Sequence, residues 1–175
     1  MKPIIPLLQS GHSLAITRQL TDLILHDPSL LDELFRVLLS DSVILKQRAA
    51  WVLGHVATAN PDLFKPFLND VIALTTDNSH PAIKRNALKV LEQTATFPKK
   101  HHSKLIDTCF GILQDRNEPP AIRVYAMSIL NHLCNVYPDL SFELQAIIED
   151  ELPHASAGFR SRGNKILKKL QSLSR

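Results

Sequence analysis

The chain has 175 residues, and its 20 lysines and arginines outnumber its 17 aspartates and glutamates by three. With five glycines and 6% aromatic residues, it is too poor in turn residues and strand formers for a β-sandwich or barrel, so we exclude an all-β fold. Its hydrophobic fraction of 45% is enough for one compact domain or one short array of repeats.

Apolar residues recur at helical spacing along the chain and predict nine helices. The predicted ranges, in chain order, are 13–26, 29–40, 43–59, 61–76, 80–97, 101–114, 119–136, 139–152 and 156–173. Several starts coincide with a proline, which suits the first turn of a helix, as in Asn60-Pro61-Asp62 and Tyr137-Pro138-Asp139. The residues before the first helix are interrupted by Pro3 and Pro6 and do not resemble a signal peptide.

A nine-residue segment recurs four times without gaps, beginning at Leu45, Ile83, Ile122 and Phe159. The starts are 38, 39 and 37 residues apart. Each copy reads large apolar, basic, any two, small, any two, β-branched apolar, Leu. Positions one, five, eight and nine share one stripe of a helix, and the small fifth residue allows a neighbouring helix to approach closely. Each repeat is therefore predicted to be a helix pair whose second helix carries the motif.

This period and motif resemble the HEAT repeat of the armadillo-like superfamily. The resemblance implies an all-α fold, a right-handed α-α superhelix forming a short HEAT-like solenoid of about nine helices in antiparallel pairs. We expect a single HEAT-repeat domain over residues 1–175. It divides into an N-terminal capping unit (1–27), central repeats (28–152) and a C-terminal capping helix (153–175).

The second motif position carries a basic residue in every copy: Lys46, Lys84, Arg123 and Arg160. In the family, an aspartate before the second helix commonly partners this residue, and the resemblance assigns that role to Asp41, Asp77 and Asp115. We therefore favour a ladder of pairs between these basic residues and turn carboxylates or carbonyls over a stripe that follows a phosphate backbone. The acidic run Glu149-Asp150-Glu151 lies at a helix end, where negative charge is unfavourable, and is expected to pair locally with the basic residues of the candidate binding strip.

The candidate binding residues lie opposite the buried stripe of the motif helices, at positions three and seven of the motif and at positions ten and eleven just after it. By the resemblance, second helices line the concave surface of the stack, so these side chains would form one solvent-facing strip. It contains Trp51, His55, Arg85, Lys89, Asn131, His132, Lys165, Lys168 and Lys169. Trp51 is either an exposed anchor or a residue packed under the N-terminal unit. The basic C-terminal helix either attracts an acidic partner or is a solvated cap.

The sequence contains no glycine-rich phosphate loop, HExxH motif or GxSxG motif, and it indicates no catalytic residue, metal or cofactor. We expect a non-catalytic scaffold that binds a protein or peptide segment, acidic in character, on its concave face. The alternative is a nucleic-acid-binding HEAT-like protein related in architecture to DNA glycosylases. A regulatory lyase-like or chaperone-like HEAT protein rests on fold analogy alone.

The two cysteines, Cys109 and Cys134, show no disulfide spacing, which favours a cytoplasmic location. No apolar run approaches the roughly 20 residues that cross a bilayer, so we expect no membrane insertion. The sequence does not indicate the oligomeric state.

Overall fold

The computed structural model describes residues 4–76, 80–94 and 96–173, and the regular elements of these residues are all helical. The chain divides into two compact units, residues 1–95 and 96–175. The first unit contains α1 (Ile4–Ser10), α2 (Leu14–His26), α3 (Leu31–Leu38), α4 (Val43–Ala59), α5 (Leu68–Thr76) and α6 (Pro81–Gln93). The second contains α7 (His102–Gln114), α8 (Pro120–Cys134), α9 (Leu140–Glu151) and α10 (Ala157–Leu173). This confirms the all-α repeat fold.

In the first unit, helices pack in pairs and the second helices pack on one another. α3 packs on α4 and α5 on α6, while α2 packs on α4 and α4 on α6. The N-terminal helices α1 and α2 also contact each other, so the segment predicted as a capping unit contains a helix pair. The second unit repeats this arrangement: α7 packs on α8, α9 on both of its neighbours, and α8 on α10.

The motif helices are α4, α6, α8 and α10, and the predicted buried stripe is confirmed. Positions five, eight and nine are buried in all four copies. Position one is buried in three copies, and Leu45 in the first copy is half-buried. The fourth copy has Gly163 at position five, because a Cβ there would lie 3.0 Å from the Ile148 side chain of α9.

The predicted helix ranges are confirmed to within a few residues, with two physical exceptions. The range 61–76 begins as a 3-10 helix (Pro61–Phe67) because Pro66 has no N–H to donate within an α-helix. The range 80–97 ends at Gln93, where the hydroxyl of Thr94 donates to the carbonyl of Val90. Two further 3-10 helices, Pro28–Leu30 and Lys99–His101, precede α3 and α7.

Helix α1 was not predicted, and a long-range contact explains its stability. The Arg48 guanidinium of α4 donates to the carbonyls of Leu8 and Gln9 at 2.6 and 3.4 Å, at the C-terminal end of α1. Ile4 and Leu8, one helical turn apart, are buried. Pro6 is tolerated because it lies in the first turn, where an N–H has no helical acceptor.

For Arg123, the predicted pairing with a backbone carbonyl is observed, whereas Asp115 is wrong as its carboxylate partner. Its Nε and Nη2 donate to the Leu113 carbonyl at 2.9 and 2.7 Å, and Nη2 also contacts Glu151 at 2.7 Å. Asp115 instead accepts the N–H and side-chain amide of Asn117, which closes its own turn. Asp77 lies outside the described residues.

The acidic run at the end of α9 pairs with two arginines. Arg116 precedes α8, and Arg123 lies in the first turn of α8. Arg116 donates to Glu151 at 2.7 Å and to Asp150 at 3.1 Å. Burial raises the pKa of Glu151, but the hydrogen bonds and charges of Arg123 and Arg116 outweigh it, so this pKa lies below its usual value. The predicted pairing with the binding strip is therefore wrong, because the partners of Asp150 and Glu151 are these two arginines, which lie outside the strip.

Candidate functional site

In the first unit, the predicted residues Trp51 and His55 form an aromatic cluster on α4. The ring centroids of Trp51 and His55 are 5.7 Å apart. His12, from the α1–α2 connection, packs edge-to-face on Trp51 with a ring-centroid distance of 4.8 Å. Trp51 is half-buried, so it is neither a core residue nor a freely exposed anchor. One part of the indole packs on imidazole rings, and the rest remains accessible to a partner.

Two cations surround this cluster. Burial lowers the pKa of His55, and the charges of Lys89 on α6 and Arg18 on α2 lower it further. His55 is therefore favoured as a neutral imidazole. The remaining predicted residue of this unit, Arg85, is exposed on α6, whereas Lys89 is half-buried.

In the second unit, a groove between α8 and α10 brings five predicted residues together. Its volume is about 420 Å³. The predicted residues that line it are Asn131, His132, Lys165, Lys168 and Lys169. Ser128, Arg162 and Ile166 complete the lining. This volume falls within the range of about 300–1,000 Å³ that is typical of ligand pockets.

The groove is strongly basic because the two helices that form it contain no acidic residue. The segments Pro120–Cys134 and Ala157–Leu173 carry neither Asp nor Glu. Lys165, Lys168 and Lys169 are exposed, and none of them forms an ion pair with a described residue. Arg123, the arginine of α8, is neutralised by Glu151 elsewhere in the unit.

The prediction that motif positions seven and ten face solvent is wrong for α8. Ser128 is 4% exposed and Asn131 is 9% exposed, because α10 packs against this side of α8. Both therefore form the floor of the groove. His132 is half-buried.

Arg162 and Ser128 also line the groove, although neither was among the predicted binding residues. The Nη1 of Arg162 donates to the Ser128 hydroxyl at 2.6 Å, and this hydroxyl donates to the Val124 carbonyl at 3.0 Å. The guanidinium is thus held over the groove by a side chain of the neighbouring helix. A sequence signal existed: Arg162 precedes Lys165 and Lys169 by three and seven residues, a spacing that places all three on one helix face.

The first and second units hold separate predicted residues, four on α4 and α6 and five on α8 and α10. Their union in one concave strip stays a prediction. Within the described ranges, no group of three or more His, Cys, Asp or Glu side chains is placed to hold a metal ion. No described helix is long and apolar enough to span a membrane.

A family model for the HEAT repeat domain matches residues 6–170, nearly the whole chain. The chain therefore belongs to the HEAT repeat domain family, as the motif predicted. A search of curated proteins found no match.

Solved structures of engineered proteins share this fold. One crystal structure of an engineered protein has a TM-score of 0.69 at 16% identity, over 98% of this chain and 81% of that chain. Computationally designed armadillo repeat proteins for modular peptide recognition give a TM-score of 0.64 at 16% identity, over 99% and 87%. Another designed armadillo repeat protein gives 0.63 at 15% identity, over 97% and 81%. At these identities the similarity establishes the HEAT and armadillo-like fold, which is typical of protein-interaction scaffolds.

Proposed function

We propose that this protein is a non-catalytic interaction scaffold that binds an acidic segment of a partner protein in the groove between α8 and α10. The observation that carries the proposal is the groove itself, where four basic side chains of α10 face α8 and neither helix contains an acidic residue. Such a surface attracts negative charge, which speeds association and selects against basic partners.

The shape of the site supports a peptide as the ligand. A groove of about 420 Å³ between two helices accommodates a few side chains of an extended or helical segment. The half-buried Trp51 of the first unit supplies a second, apolar point of attachment in this proposal. The predicted cytoplasmic location and the concave placement of both sites belong to the same proposal.

The test is affinity capture with the intact chain, followed by cross-linking and mass spectrometry to locate the contact. We expect a protein partner whose cross-links map to α8 and α10 and whose cross-linked segment is acidic. The triple variant Lys165→Glu, Lys168→Glu, Lys169→Glu should lose this partner, because its groove repels the acidic segment.

A matched variant of the same unit controls for the charge change. Lys99, Lys100 and Lys104 are exposed near the start of α7 and do not line the groove. Their joint replacement by glutamate reverses the same number of charges and should leave capture intact. The proposed site is contradicted if both triple variants lose partner capture equally, or if the cross-links map outside α8 and α10.

Nucleic acid is the competing ligand of a basic surface. Capture is therefore repeated after nuclease treatment and over a range of salt concentrations. Binding that disappears with nuclease and falls steeply with salt would replace the scaffold proposal by nucleic-acid binding.

A further inference from the structure

We infer that the groove between α8 and α10 recognises a phosphorylated side chain of the partner segment, with Asn131 and Arg162 as the residues that distinguish phosphate from carboxylate. This inference rests on the proposed function and names the chemistry of its ligand. It begins from the amide of Asn131 on the floor of the groove.

Asn131 is 9% exposed and lines the groove, its amide makes no hydrogen bond to a described residue, and its amide atoms remain open to the groove. The side-chain N–H groups of Asn131 are donors that a ligand oxygen in the groove would satisfy. A ligand that reaches the floor of the groove can therefore accept a hydrogen bond from this amide.

Arg162 supplies the second element of recognition. Its guanidinium is tied to Ser128 at 2.6 Å, so less side-chain freedom is lost when it binds a ligand. A guanidinium is a planar donor that matches the oxygens of phosphate and carboxylate groups. Lys165 and Lys169 follow it at helical spacing on the same side of α10 and line the same groove.

The combination of the Asn131 amide, the Arg162 guanidinium and the lysines of α10 favours phosphate over carboxylate. A phosphorylated serine or threonine carries a charge of about −1.5 to −2 at neutral pH and has three acceptor oxygens. It can therefore contact the amide on the floor, the guanidinium and one ammonium group together, whereas a carboxylate has two oxygens and one charge. The four cations lie within a single inter-helical groove, which suits one compact dianion.

The experiment measures binding of the full chain to three peptide pools that are identical except for the central residue. This residue is phosphoserine, glutamate or serine, and the flanking positions are randomised among small and acidic residues. We expect the phosphoserine pool to bind about tenfold more tightly than the glutamate pool, and the serine pool to bind more weakly than both. The side-chain amide resonance of Asn131 should shift with the phosphoserine pool.

Two substitutions test the residues. Arg162→Lys keeps the charge but removes the planar fork, so the preference for phosphoserine over glutamate should fall to about twofold. Lys165→Gln changes an exposed position, and it should weaken binding of the phosphoserine pool more than binding of the glutamate pool. Arg160→Gln removes the same charge from the same helix outside the groove and should leave both affinities unchanged.

The outcomes separate this inference from the proposed function. Equal affinity of the phosphoserine and glutamate pools overturns phosphate recognition and leaves the acidic-peptide scaffold in place. An unmoved Asn131 amide in the presence of tight phosphoserine binding also overturns it, because the floor of the groove would then not be used. If neither acidic pool binds and an oligonucleotide does, both proposals fail.

Discussion

Asn86 of α6 lies against Gly54 of α4 so closely that no side chain fits at residue 54. A Cβ at this position would fall well inside van der Waals contact with the Asn86 Oδ1 and lie 3.2 Å from its Cγ. The amide cannot move away freely, because it is buried and its Nδ2 donates to the Ala82 carbonyl at 2.8 Å. The close approach of these two motif helices therefore depends on the glycine.

Gly54→Ala should destabilise the protein by about 1–3 kcal/mol through overpacking at the α4–α6 contact. Gly111→Ala is the matched control. Gly111 lies within α7, and a Cβ there meets nothing within 4 Å, so its replacement should stabilise the fold by about 0.5–1 kcal/mol. Urea unfolding followed by circular dichroism measures both. Equal effects of the two changes would show that the Asn86 contact does not control the packing.

The pair of Arg123 and Glu151 should be a principal stabilising contact of the second unit. Both side chains are 9% exposed, and the Arg123 guanidinium also lies 5.0 Å from the centre of the Phe159 ring. Glu151→Ala should cost about 3–5 kcal/mol because it leaves a buried guanidinium without its counter-ion. Arg116→Gln should cost much less, because its side chain is 65% exposed.

A double variant tests the cause of that loss. Arg123→Met combined with Glu151→Leu removes both charges and should recover part of the stability lost in Glu151→Ala. The hydrogen bonds to Leu113 are still missing, so full recovery is not expected. A double variant no more stable than Glu151→Ala would refute the role of the uncompensated charge.

The free energy of unfolding should fall as the pH drops below about 6.5. Burial lowers the pKa of His101, and the charges of Lys100, His102 and Lys104 lower it further. The folded state thus binds fewer protons than the unfolded state, so stability is complete above the unfolded pKa of 6.5 and is lost below it. His101→Gln should reduce the difference in unfolding midpoint between pH 7.5 and pH 5.5. The exposed His154→Gln controls for the loss of one imidazole, and an identical pH dependence in both variants would contradict the prediction.

Trp51 should contribute more to binding than to stability. Because it is half-buried, Trp51→Ala should leave the helical circular dichroism unchanged and reduce capture of the protein partner. Phe64→Ala is the comparison for a core residue, because Phe64 is fully buried and its removal should cost about 3–5 kcal/mol. If Trp51→Ala destabilised the fold as much as Phe64→Ala does, the indole would be a core residue.

The repeat architecture was predictable because one local pattern determines it. The small residue at position five and the apolar pair at positions eight and nine are fixed by helical geometry alone, and Ala49, Val52 and Leu53 are buried as expected. Contacts between distant segments were not predictable in this way. Arg48 and Leu8 are 40 residues apart, and nothing near Leu8 in the sequence indicates an arginine that ends its helix.

The sequence predicted which residues line the candidate site, but it did not predict how deeply each of them is buried. Helical spacing placed Lys165 and Lys169 on one face, and both line the groove. The same spacing put Asn131 on the solvent side, because it counts turns within one helix and does not record which neighbour covers that side. The packing of α10 on α8 turns this predicted surface residue into the floor of the groove.

Both cysteines of the chain are buried within the helices of the second unit. Burial raises the pKa of Cys109 to about 12 and that of Cys134 to about 11, so neither thiol ionises near neutral pH. The wild-type chain should therefore be nearly unreactive toward maleimides while it is folded. A single thiol introduced by Lys168→Cys would be the main labelling site, so a fluorophore or spin label can be attached beside the groove without first removing the native cysteines.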